Sequence, residues 1–155
     1  MKYTAAEIEE LIATARAANL EGVELLESDS PAEIAKMCNG VGPDSWGDEA
    51  RDIVTKCLHY FEAPAAIHDV AHSKADGSRY NFEYNNAVFY NNCMKMSRYY
   101  VPWWRPFRRA ACECAALGCY KAVSSQFGWD AYVKATYTED AKFSQHLHEN
   151  SDAGK

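Results

Sequence analysis

The chain is short of positive charge. Sixteen Lys and Arg stand against twenty-two Asp and Glu, for a formal net charge of -6. A surface of that sign does not attract a phosphate backbone, so a nucleic-acid partner is not expected. Long apolar runs are also missing. None approaches the roughly 18 residues that a membrane-spanning helix needs. The N-terminal stretch MKYTAAEIEELIATA carries acids where a secretory signal has an apolar core, so the expected location is cytoplasmic, with release by a phage route or an extracellular location as the alternative. β-type alternation is scarce and no internal repeat is found. These absences leave a helical, globular domain. With 155 residues, 48% of them hydrophobic and 25% charged, the chain is long and apolar enough to build one core.

Six cysteines lie at positions 38, 57, 93, 112, 114 and 119. Reduced thiols are the default in a chain without a signal, although the even count permits disulfides outside the cell. Cys112, Cys114 and Cys119 fall in an Ala-rich helical segment and are expected as small buried residues, since their spacing matches no common zinc pattern.

Helix boundaries are marked by local chemistry. Thr4 followed by Glu7 is a capping box and predicts a helix over 5–18. Ser30-Pro31-Ala32-Glu33 is a second box with proline at the first helical position, opening a short helix that ends near Met37. CNGVGPDSWG, with three glycines and a proline in ten residues, is expected as a loop. DEARDIVTKCLHYFE is compatible with a helix, and Pro64 is expected to restart helical structure. KADGSR reads as a turn. NFEYNNAVFYNNCMKM sets Phe82, Val88, Phe89, Cys93 and Met96 on one helical stripe. VPWWRP is a proline-bounded break. FRRAACECAALGCYKAVSSQFGW predicts one long helix ending at Gly128, with a further helix from Asp130 and a frayed tail. The expected organisation is one mainly α domain: an N-terminal helical segment (1–36), a core (37–138) and a C-terminal tail (139–155).

The chemistry centres on PAAIHDVAH. On a helix, His68 and His72 lie one turn apart on one face, the spacing of zinc proteases that carry His-Glu-x-x-His. Here Asp69 is one methylene shorter than glutamate, Ser78 stands where one such family places a third histidine, and no glutamate follows about 20 residues on. The alternative gives His68 and Asp69 separate tasks, because consecutive helical residues point about 100° apart. Calcium takes carboxylate and carbonyl oxygens, and Gly40 and Gly42 in the upstream loop tolerate the backbone angles that turn carbonyls inward. Asp44, Asp76 and Glu83 are further carboxylates, more simply read as solvated.

Taken together, Cys38-Asn39-Gly40-Val41-Gly42-Pro43, then Ile67-His68-Asp69, then the helix from Asn86 through Phe89 to Asn92, and finally the segment from Tyr120 to Gly128, resemble phospholipase A2. The nearer likeness is to small phage and bacterial proteins of phospholipase A2-like type. The resemblance covers about residues 37–132. It implies two longer antiparallel helices carrying a His-Asp site beside the Gly-rich loop, and a calcium-dependent ester hydrolase. His68 would be the general base, and Asp69 with carbonyls around Gly40 and Gly42 would hold the Ca2+.

Two positions depart from the family. Asn86 stands where an aspartate accepts a hydrogen bond from the catalytic histidine, and His72 stands where a tyrosine supports that aspartate. In a serine protease the equivalent Asp-to-Asn change costs about 10⁴ in turnover. A phage-related structural or binding module that keeps the fold without catalysis is therefore the competing expectation. Asn85, Asn86, Asn91 and Asn92 crowd one helix, and at least one is expected to be buried with partners. RYYVPWWRPFRR, with Trp103, Trp104 and Arg105, reads either as an interface for a phospholipid or membrane surface or as a turn whose aromatics cap the core.

Overall fold

A computed structural model describes residues 3–38, 58–134 and 136. Helices account for all regular structure among them. The order is α1 (Ala5–Ala17), α2 (Val23–Leu26), α3 (Pro31–Met37), a 3-10 turn (His59–Phe61), α4 (Glu62–Ser73), α5 (Arg79–Tyr100), α6 (Pro106–Val123) and α7 (126–134).

Both capping boxes form. The Thr4 hydroxyl accepts from the Glu7 amide at 3.3 Å and the Glu7 carboxylate accepts from the Thr4 amide at 2.7 Å. The Glu33 carboxylate accepts from the Ser30 amide at 3.1 Å, with Pro31 at the first helical position. Each box satisfies amides that a helix start leaves without partners. Pro64 does not restart the helix. α4 begins at Glu62 and Pro64 occupies its first turn, where a missing N–H costs nothing because those amides have no intrahelical acceptor.

α5 and α6 run antiparallel. Arg98 meets Glu113, Tyr90 meets Tyr120 and Asn86 meets Val123, so one number falls as the other rises. α4 lies antiparallel on α5 in the same way, with His68 beside Phe89 and His72 beside Phe82. The longest two helices, of 22 and 18 residues, are thus α5 and α6, while His68 and Asp69 sit on the shorter α4. α1, α2 and α3 cover the other side of α4. One core results: Ile8, Leu26, Ile34, Phe61, Ile67, Val70, Cys93 and Met96 are all buried within it.

The stripe along α5 appears as its spacing predicts. Phe82, Phe89, Cys93 and Met96 are buried and Val88 is half-buried. Two expectations fail. The helix after Pro106 ends at Val123, not at Gly128, and Ser125 caps α7 by accepting from the Gly128 amide at 3.3 Å. Ser125 offers the backbone a side-chain partner at both Ala122 and Gly128, which favours a helix boundary over a continuous helix. Cys112 and Cys119 are only half-buried and Cys114 is exposed; the buried thiols are Cys38 and Cys93. Ala-rich composition set no inward face on α6, whose one fully buried residue is Ala116. The five described cysteines are all free thiols. Gly40, Gly42, Asp44, Cys57, the expected helix upstream of Leu58 and the tail from 139 lie outside the described residues.

Candidate functional site

His68 and Asp69 look in different directions from α4, as adjacent helical positions must. His68 faces α5, and its Nε2 lies 2.8 Å from Asn86 Oδ1. Asp69 faces the N-terminal segment, where its charge helps raise the pKa of the Tyr3 phenol and the Cys38 thiol. Burial is the main cause of both shifts, and it pushes Cys38 up to about 12. The Cys38 thiol rests 3.8 Å from the Ala66 carbonyl, three residues before Asp69 on α4.

Asn86 is 1% exposed, and its orientation follows from its second partner. Its Nδ2 donates to the Val123 carbonyl at the end of α6 at 3.4 Å, a long bond. The last carbonyls of a helix have no intrahelical donor. With the amide nitrogen turned to Val123, Oδ1 faces His68 and must accept from it. The imidazole therefore carries its proton on Nε2 and its lone pair on Nδ1. The ring's Nε2, not Nδ1, is the nitrogen that meets Asn86. Nδ1 stands 3.8 Å from the Asp69 carboxylate, outside hydrogen-bond range.

This arrangement accounts for the asparagine. An aspartate could accept from His68 but could not donate to Val123. The amide does both, and the C-terminus of α6 supplies partial negative charge behind it.

Gly128 is the part of this chain of contacts that the sequence did not reveal. A Cβ placed on it would lie 2.1 Å from the Val123 oxygen, the same atom that orients Asn86. The segment from Tyr120 to Gly128 held that signal, but its spacing read as continuous helix.

His72 does not take over support of Asn86. Its ring lies against His68 (centroids 3.9 Å apart), Phe82 and Tyr132, and its buried Nε2 has no hydrogen-bond partner. Burial, with the neighbouring His68 second, lowers its pKa to about 3. It is a neutral, space-filling ring at ordinary pH. The two imidazole rings are tilted 43° to one another. Among the described residues no three His, Cys, Asp or Glu side chains are placed to hold a metal. Asp69 alone falls far short of the six to eight oxygens calcium takes.

The side chain of His68 is 10% exposed. It opens on a cavity of about 120 Å³, walled by Gly22, Leu25, Tyr84, Asn85, Val88 and Phe89. Asn92 holds that wall in place. Its amide donates to the Glu21 carbonyl at 2.8 Å and accepts from the Glu21 amide at 2.9 Å. Asn86 and Asn92 are the buried pair of the asparagine-rich stretch, while Asn85 is half-buried and Asn91 exposed. Gly22 takes the left-handed conformation at φ 84°, and an added Cβ would sit 3.0 Å from Ile67.

Trp103, Trp104 and Arg105 are not part of this site. Fifteen residues of α5 and its cap separate Asn86 from Val101, about 22 Å of helix. Nor do the aromatics cap the core: Trp103 is 76% and Trp104 65% exposed.

No protein-family model, curated protein or solved structure matches the chain.

Proposed function

We propose that this protein is a phospholipase A2-like hydrolase of carboxylic esters, with His68 as general base. The observation that carries the reading is the contact of His68 Nε2 with a buried, twice-bonded Asn86, which leaves a lone pair on Nδ1 of a ring that opens on a cavity. A surface histidine needs no such support.

In the proposed reaction Nδ1 takes a proton from water, and the resulting hydroxide attacks the ester carbonyl. The imidazolium then returns the proton to the leaving alcohol oxygen, so that acid and alcohol are released and the ring is neutral again. Asn86 keeps the ring from turning. His72, neutral throughout, lies against the ring without opposing its charge. The expected substrate is a phospholipid, following the family resemblance.

Calcium belongs to the same reading through Asp69 with the carbonyls of Gly40 and Gly42. The described residues bring only Asp69 to that role, so no step above is routed through the ion.

The test is release of fatty acid from phospholipid vesicles with millimolar calcium and with chelator, comparing the protein with His68→Gln. Activity in the parent and its loss in the variant support the hydrolase. An inactive parent, or a fully active variant, rejects it in favour of a binding module. Calorimetry with Asp69→Asn separates the ion from the base: heat of calcium binding lost in that variant assigns the ion to Asp69.

A further inference from the structure

We propose that the corner between α5 and α6 is a docking surface for anionic lipid bilayers. Four large aromatic side chains crowd it and face solvent: Tyr99 at 52%, Trp103 at 76%, Trp104 at 65% and Phe107 at 91% exposure, with Tyr100 beside them stacked on Tyr60. A cluster of that kind is uncommon on a soluble surface without a partner.

The corner is held in shape rather than left loose. Val101 is 1% exposed. Its carbonyl accepts two bonds from the Arg109 guanidinium, at 3.2 and 2.8 Å. The Arg105 amide closes a turn on the Pro102 carbonyl at 3.0 Å, and Arg108 donates to the Tyr60 hydroxyl at 2.6 Å. The tryptophans are therefore presented outward by a fixed backbone.

Charge selects the occupant. The chain carries -6 overall, yet residues 84–112 contain no Asp or Glu; of their cations Arg98 pairs with Glu113, Arg108 bonds Tyr60 and Arg109 bonds Val101, while Arg105 stands exposed beside the tryptophans. Trp and Tyr with arginine are the residue types that settle at a lipid headgroup boundary, the rings among the upper acyl chains and the guanidinium on phosphate. A second copy of the chain fits less well, because a twofold contact would set Arg105 against its own counterpart. Single-stranded nucleic acid needs a groove that tracks its backbone, whereas these rings stand on a convex turn. The inference does not depend on hydrolysis, since the corner lies about 22 Å along α5 from Asn86.

The test is co-sedimentation with phosphatidylcholine vesicles, with and without phosphatidylglycerol, in chelator so that calcium and turnover play no part. Binding is expected only to the anionic vesicles, weakening as salt is raised, with tryptophan emission quenched by brominated acyl chains. Trp103→Ser/Trp104→Ser/Phe107→Ser should lower the partition about tenfold or more, and Arg105→Gln about fivefold. Tyr80→Ser removes an equally exposed ring from the far end of α5 and should change nothing. Circular dichroism and Tm checks that the triple variant is folded. The proposal is overturned by a failure of the parent to bind anionic vesicles or by undiminished binding of the folded triple variant. It is equally overturned if the parent self-associates through the corner, or binds an oligonucleotide there, without binding vesicles.

Discussion

The two ends of α5 invert the usual order of a folded chain. Near Asn86, polar groups are inside: an amide, an imidazole and a helix-end carbonyl make bonds that solvent could have made. Near Trp103, large aromatic rings are outside, where core formation would have hidden them. A buried polar group and an exposed apolar patch are the two observations that packing alone does not explain. At the inner end the cost of burial is offset by mutual hydrogen bonding. At the outer end the rigidity of the Val101–Arg109 contact keeps the rings from folding back. α5 thus runs from a candidate reaction centre to a candidate docking surface, and the two should respond independently to mutation.

The largest expected effect breaks the inner end alone. His68→Gln should lower ester hydrolysis by about 10²–10⁴-fold, the usual contribution of a general base, while Tm and vesicle binding stay with the parent.

Acid should come next, acting through His72. Its folded pKa of about 3 lies below the ordinary imidazole value of 6.5, so the unfolded chain binds the extra proton between those values. The stability contribution is whole above about pH 6.5 and is lost as pH falls toward 3. The full span is on the order of 4 kcal/mol. Urea unfolding at a series of pH values measures it, and His72→Phe should flatten the slope. An unchanged slope in that variant removes His72 as the cause.

Gly128→Ala tests the link from α7 to the site. Its Cβ would collide with the Val123 oxygen, at a cost of about 2–4 kcal/mol, and hydrolysis should fall with it because Asn86 loses its acceptor position. Asn86→Asp probes the same point from the other side. It should lower stability by about 1–3 kcal/mol rather than restore activity, because the Val123 carbonyl loses its donor. A gain in hydrolysis there would show that a carboxylate was wanted after all.

Asn92→Ala is the smallest of the set at about 2 kcal/mol, from two backbone groups of Glu21 left without partners. Chemical denaturation should show the loss with little change at the corner.

Much of the local structure was legible because its causes are local. Capping boxes act between residues three apart, so Thr4 with Glu7 and Ser30 with Glu33 announced α1 and α3. The stripe of Phe82, Phe89, Cys93 and Met96 follows from 3.6 residues per turn. Asn86 could be named as the partner of His68 only through family likeness, and which ring nitrogen it meets was not legible, because the answer depends on where α6 ends. The break at Ser124 and Ser125 was missed for the same reason. Gly128 looked like a terminator, but it is a point of close approach between α7 and the last turn of α6.

Sequence by itself determined that this is a helical chain with a His-Asp pair on one helix, an asparagine-rich partner helix and an aromatic, acid-free stretch between prolines. Periodicity, capping and composition are properties of neighbours along the chain. Tertiary structure alone decided that the Val123 carbonyl orients Asn86, that His72 is packed among aromatic rings, neutral and without a partner for Nε2, and that Trp103 and Trp104 face outward. Each of those depends on which surfaces meet when α4, α5 and α6 pack, and no residue carries that information by itself.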